Sequence, residues 1–236
     1  MICVIRGISI HYEVYGEGTP VLCVHGWGPD SRMMIGCFEP IFSQLHGYRR
    51  IYPDLPGFGQ TQAPKWIQMH DDMLDILCGF IESVIGCERF LLTGCSYGGY
   101  LSLGIIHKMP DRVAGTFLLV AATDSYEVEK KPEDLPKRQM LWQSDALAAE
   151  DKTSSLQNYM EMAVIAYPEA YAKWQKDIQP GLEIKNKEFS SRYSTMNYSP
   201  MMQKAIRELT FDKPTCILAG RQDDVVGYSL SYKLID

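Results

Sequence analysis

Apolar positions along the first 122 residues follow two rhythms that take turns. "ICVIRG" and "SIHYEVYG" read as a pair of strands hinged at Gly7, the second alternating apolar and polar positions with a period of two. "PVLCVHG" is an unbroken apolar run, as expected of a strand buried on both faces. Asp30 or Ser31 stands where a helix through about Leu45 would be capped, and "RRIYPDLPGFG" carries a further strand into a Pro/Gly turn. Met69, Met73, Ile76, Leu77, Phe80, Ile81 and Val84 then share one helical face. "FLLTGCS", a helix from Tyr97 to about Met109, and "VAGTFLLVAA" continue the exchange. Strands alternating with helices predict an α/β fold with a doubly wound, mostly parallel sheet.

From about Thr123 to Leu209 the period stays helical and no strand is expected. Leu156, Tyr159, Met160, Ala163, Val164 and Tyr167 make one apolar stripe. Pro168 opens a helix with Tyr171, Trp174 and Ile178 on its inner side, and Ser199-Pro200 opens another as N-cap and first helical residue. One more apolar run, "PTCILAG" from Pro214 to Gly220, leads into "GRQDD". The predicted organisation is a core of residues 1–122 and 210–236, with an all-helical lid, 123–209, inserted between the sixth and seventh strands.

Composition narrows the class. A chain of 236 residues, 46% hydrophobic and 22% charged, suits one sizeable core or one core with a large insertion. A net charge of -6 with scattered Lys and Arg offers no basic face to a phosphate backbone, which excludes nucleic acid as a partner. The start "MICVIRGISIHYEVYGEG" lacks signal-peptide features, and the longest apolar runs are too short to span a bilayer, so no membrane partner and a cytoplasmic location are expected. Seven cysteines, an odd number without metal-ligand spacing, point to free, mostly buried thiols in a reducing compartment, with no metal or other cofactor. "HDD" at His70 to Asp72 resembles a metal motif, but adjacent helical residues point in different directions, so a solvated face is expected.

The strongest chemical signal is "GCSYGG", Gly94 to Gly99, between a buried strand and a helix. A serine on so sharp a turn has strained backbone angles and tolerates only small neighbours two residues away, which Gly94 and Gly98 provide. The turn puts Ser96 at a helix N-terminus, where N–H groups and the helix dipole favour an oxyanion. "HGWG", His25 to Gly28, ends another buried strand, and its glycines let the N–H of Trp27 point above Ser96, with that of Tyr97 as second donor. His25 is read as holding this loop. The run "AGRQD" delivers a carboxylate, Asp223, with Asp224 and Asp124 as alternatives. A carboxylate so delivered usually orients a histidine, yet His11, His25, His46, His70 and His107 all precede it.

On "HGWG", "DLPGFGQT" from Asp54, "GCSYGGY" from Gly94 and "AGRQD" ending at Asp223, in that order and at these spacings, the chain resembles the α/β-hydrolase family over nearly its whole length. The resemblance implies a nucleophile at Ser96, oxyanion donors at Trp27 and Tyr97, and the acid at Asp223. It also implies a histidine some tens of residues beyond the acid, after an eighth strand, so the expectation is a chain that stops before its last strand and helix. The open edge of the seventh strand would then invite self-association.

The expected function is hydrolysis of a small or medium carboxylic ester through an acyl-enzyme at Ser96, with weak activity where the base is lacking. Acyl transfer or carbon–carbon bond cleavage on the same triad, and a non-catalytic ligand-binding protein of the same fold, are the alternatives. Trp142 and Tyr159 are expected to line an apolar substrate pocket over Ser96.

Overall fold

The computed structural model describes residues 1–122, 135–149, 153–192 and 195–234. Strands β1 (Ile2–Ile5), β2 (Ile8–Tyr15), β3 (Thr19–Val24), β4 (Tyr48–Pro53), β5 (Phe90–Cys95) and β6 (Val113–Leu119) form in the predicted places. They are separated by helices α1 (Ser31–Phe42), α2 (His70–Val84) and α3 (Tyr97–Lys108). The seven-stranded sheet runs β1-β2-β4-β3-β5-β6-β9, with β9 at Thr215–Leu218. β1, β2 and β4 pair antiparallel, and β4, β3, β5, β6 and β9 pair parallel.

The chain leaves β3 for β4 on one side and then crosses to β5 on the other, so the strand order reverses at β3. Ligands of open parallel sheets bind at such a reversal, outside the C-terminal strand ends. His25 follows β3 there, and Ser96 follows β5.

Pleating divides the core between the two faces. Val21 and Cys23 of β3 join Met34 and Phe38 of α1 and Tyr52 of β4, while Leu22 and Val24 join the apolar sides of α2 and α3. Met73, Leu74, Ile76, Leu77, Phe80 and Ile81 of α2 are all 2% exposed or less. At about 1.5–3 kcal/mol each, this face contributes roughly 10 kcal/mol or more before conformational entropy offsets it. Asp30 caps α1 as predicted, its carboxylate accepting from the N–H of Arg32 at 3.1 Å.

Between β6 and β9 the described residues depart from the predicted all-helical pattern in one place. The stripe from Leu156 to Tyr167 is helical only as α5 (Ser154–Met160, after α4 at Asp145–Ala148), and then extends. Two short strands, β7 (Trp142–Gln143) and β8 (Ile165–Ala166), pair in parallel, with Trp142 opposite Ile165. The β-branched pair Val164-Ile165 loses rotamer freedom in a helix and fits a ladder, which takes up its backbone groups.

α6 (Pro168–Asp177) begins at its proline and buries Tyr171 and Trp174, as read from the sequence. With Leu147, Leu156, Tyr159 and Ala166 these form a cluster of their own. After α7 (Gln179–Ile184), helix α8 (Lys187–Ser191) and helix α9 (Pro200–Arg207) send Phe189, Met202 and Ile206 into the main core. Beyond β9, a 3₁₀ helix covers Tyr228–Leu234.

The thiols are free, but the expectation that most are buried fails. Cys23, Cys78 and Cys95 are buried, while Cys37, Cys87 and Cys216 are exposed. Cys216 and the exposed Leu218 lie on β9, at one end of the sheet order. No described helix is long and apolar enough to cross a membrane.

Candidate active site

Ser96 sits between β5 and α3 with φ 50° and ψ -114°, one of the non-glycine residues held at positive φ. Such angles cost of order 1–3 kcal/mol and persist only where the surroundings impose them. Here the backbone is held on both sides. The N–H of Ser96 donates to Leu119 O at 3.0 Å, and its carbonyl accepts from Ala122 N at 3.0 Å and Tyr100 N at 3.1 Å.

The flanking glycines are required sterically. A methyl group on Gly94 would strike the Gly98 carbonyl and the Ser102 hydroxyl, and one on Gly98 would strike the Val24 carbonyl at the end of β3. Ser102 Oγ donates to Gly98 O at 2.7 Å and pins the first turn of α3.

The "HGWG" loop lies directly against this turn. A Cβ on Gly26 would stand 3.4 Å from the Cβ of Ser96, so the loop backbone lies beside that side chain. His25, fully buried, orders the loop. Its Nε2 accepts from Leu55 N–H at 2.9 Å and its Nδ1 donates to Gly26 O at 2.7 Å, a set that selects the neutral Nδ1–H tautomer. Burial lowers its pKa and favours the same form.

Trp27 packs edge-to-face on Tyr97, with ring centroids 5.0 Å apart. The two residues expected to donate to an oxyanion are therefore neighbours. Tyr97, as first residue of α3, presents its N–H at the helix N-terminus.

Asp223 lies in the turn after β9, where its Oδ1 accepts from the N–H groups of Val225 at 3.0 Å and Val226 at 2.9 Å. The Cys95 thiol, immediately before Ser96, has its pKa pushed up to about 12, by burial first and then by the nearby Cys37 and Asp223. Asp223 is thus close enough to act electrostatically on the residue next to Ser96. The carboxylate of Asp224 turns instead to Arg138, 3.8 Å away. Asp124 lies outside the described residues.

The histidines hold other places. His11 Nδ1 meets Asp54 Oδ2 at 3.0 Å, in a network where Asp54 also accepts from Ser31 N at 3.0 Å and Gln60 N at 2.9 Å. His46 and His107 are exposed. His70 corrects the expectation of a solvated face, being only 2% exposed. It packs against Tyr97, Tyr100 and Tyr198, with Nδ1 3.0 Å from the Tyr97 hydroxyl, and burial lowers its pKa to about 4. No group of His, Cys, Asp and Glu suited to a metal ion occurs among the described residues.

Of the two expected pocket residues, Trp142 is 54% exposed on β7 and Tyr159 is packed between Tyr171 and Trp174, in the cluster formed by α4 to α6. The aromatic side chains found at the loop are others. Phe58, from the "PGFG" turn, meets the Trp27 ring edge-to-face at 4.8 Å, and Phe189 of α8 stacks on it at 5.6 Å. Leu182 of α7 closes on Gly28, its Cδ2 3.2 Å from where a Cβ would stand. The turn motif marked Phe58 in the sequence. Phe189 carried only the local sign of a capped helix, Asn186 accepting from its N–H at 3.0 Å.

A family model described as alpha/beta hydrolase fold matches residues 19–235. A pimeloyl-[acyl-carrier protein] methyl ester esterase of Legionella pneumophila (strain Corby) is 35% identical over 107 residues. That match covers 45% of this chain and 39% of the relative, so the chain spans well under half the length of that protein. A 2-hydroxymuconate semialdehyde hydrolase of Pseudomonas sp. (strain CF600) is 24% identical over 98% of this chain and 79% of its own length. Among solved structures, an alpha/beta superfamily hydrolase from Oenococcus oeni PSU-1 superposes with a TM-score of 0.84 at 31% identity, over 100% of this chain and 85% of that one.

Proposed function

The chain belongs to the alpha/beta hydrolase fold family, and from that premise we propose that it hydrolyses a small or medium carboxylic ester through an acyl-enzyme at Ser96. Ser96 Oγ attacks the carbonyl carbon, and the carbonyl oxygen becomes an oxyanion facing the N–H groups of Trp27 and Tyr97. An imidazole oriented by the Asp223 carboxylate takes the serine proton and returns it to the leaving alkoxide. Water then repeats the sequence on the acyl group. The connection between β6 and β9 acts as the lid over this site.

The observation that carries the reading is the positive φ of Ser96 on a glycine-framed turn, with the Gly26 backbone against its side chain. Phe58, Phe189 and Leu182 make the surroundings of the loop apolar, which favours a neutral acyl group. The ester named for the Legionella relative agrees in bond type.

The five histidines of this sequence all hold other places, so the test supplies the base from solution. Free imidazole is expected to accelerate hydrolysis of p-nitrophenyl butyrate in proportion to its concentration, with acyl-Ser96 detectable by mass spectrometry and the gain abolished in Ser96→Ala. Equal rates in wild type and Ser96→Ala, with no acylation, would sink the proposal and favour a ligand-binding role.

The Pseudomonas relative, matched over nearly the whole chain, favours a second reading, hydrolysis of a carbon–carbon bond next to a carbonyl on the same serine. Turnover of a vinylogous diketone in preference to the nitrophenyl ester would select it.

A further inference from the structure

Trp27 stands between two glycines, and Gly28 has φ 110°. A peptide flanked in this way has little backbone stiffness of its own, so the direction of the Trp27 N–H must be set by what grips the side chain. Among the described residues, three rings grip the indole. Tyr97 and Phe58 come from the sheet's own turns, and Phe189 comes from α8, more than 160 residues along the chain.

Phe189 is itself tightly held. It is 1% exposed, stacked on Trp27 at an interplanar angle of 29° and edge-on to Phe58 at 6.2 Å. Its ring lies on the bare backbone of Gly57, where φ is 90° and any Cβ would collide with it. The start of α8 is tied to the same residue, Asn186 N–H donating to Gly57 O at 2.9 Å. The guanidinium of Arg192 covers Phe189 from 5.1 Å and donates to Ile67 O at 3.3 Å and Lys65 O at 3.4 Å.

We infer that Phe189 is a positioning residue for the oxyanion site: stacked on Trp27 and seated on Gly57, it holds the Trp27 N–H in the direction an oxyanion requires. The inference rests on the serine-hydrolase reading and deepens it, because it makes the connection between β6 and β9 part of the machinery that stabilises charge. A ring that only filled space would affect folding and substrate affinity alike. A ring that aims an N–H acts on the tetrahedral state alone.

The test measures the affinity of butylboronic acid, which forms a tetrahedral adduct on a serine hydroxyl, beside KM for p-nitrophenyl butyrate with imidazole present. Thermal unfolding of each variant is recorded. Removing one oxyanion donor typically costs about a hundredfold or more in rate, so partial misalignment in Phe189→Leu is expected to weaken boronate binding about tenfold, and Phe189→Ala more. KM should change less than about threefold, since ground-state binding does not use the donor. Phe189→Tyr, which keeps the stack, should restore boronate affinity.

Should Phe189→Ala fail to fold, Phe189→Leu and Phe189→Tyr still decide the matter. Boronate affinity in Phe189→Leu equal to wild type, or falling only in step with KM, overturns the inference while leaving Ser96 as nucleophile. Wild type that binds no boronate, or binds it equally after Ser96→Ala, overturns the serine-hydrolase reading and this inference with it.

Discussion

Gly98→Ala is the sharpest perturbation of the elbow. An added Cβ would stand 2.6 Å from the His25 carbonyl oxygen and closer still to that of Val24, both backbone atoms at the end of β3. Ordinary contact begins at 3.4 Å, so α3 must withdraw from the sheet by about 0.8 Å or more. Overpacking costs about 1–3 kcal/mol, and a rigid backbone obstacle places this case at the upper end. Alanine gains up to about 1 kcal/mol over glycine in a helix, which leaves a net loss of about 2 kcal/mol.

The same withdrawal moves the Tyr97 N–H away from the Trp27 loop, and misplacement by about 1 Å can lower reactivity about a hundredfold. The assay pairs urea unfolding with the rate at which a fluorophosphonate labels Ser96 with imidazole present. Gly104→Ala on the same helix is the comparator. Its Cβ would meet the flexible end of Leu74 and the Tyr198 hydroxyl, so it should cost about 1 kcal/mol or less and leave labelling unchanged. Gly98→Ala matching wild type in both stability and labelling would refute the argument that close approach of α3 to β3 builds the site.

Further outcomes follow from the site's electrostatics. Asp223→Asn should reduce imidazole-assisted ester hydrolysis by at least about a hundredfold, whereas Asp224→Asn, which loses only a partly exposed contact to Arg138, should stay within about twofold. His25→Ala leaves the Leu55 N–H without its ring acceptor, and should cost about 1–3 kcal/mol in urea unfolding and slow Ser96 labelling. Folded His70 resists protonation down to about pH 4, while the unfolded chain takes that proton near 6.5. Stability should therefore fall as pH drops from 6.5 towards 4, by up to about 3 kcal/mol from this residue. Since burial lowers the pKa of His25 as well, the share of His70 is the part of the slope lost in His70→Gln, and an unchanged slope in that variant would reject its assignment as a buried neutral group.

The elements of the sheet, the caps at Asp30 and Ser199 and the turn around Ser96 were legible in the sequence because each depends on neighbours a few residues away. Period-two runs specify strands, and the collisions that exclude a side chain at Gly94 come from Gly98 and Ser102, only four and eight positions along the chain. The role of His25 could be read too, since the loop it closes begins with it. The sides taken by the helices between β6 and β9 were not legible. Tyr159 has the spacing of an inward-facing residue wherever α5 docks, and only the fold shows that its ring packs on Tyr171 and Trp174. His70 follows the same rule, as its ring is enclosed by Tyr97 and Tyr100 of another helix and by Tyr198, 128 positions away. Phe189 became a neighbour of Trp27 because α8 returns to the bare backbone of Gly57. Local sterics and periodicity choose the elements and the strained serine, but which distant surfaces meet depends on where the connection folds back, and many packings of equal hydrophobic content share one apolar pattern.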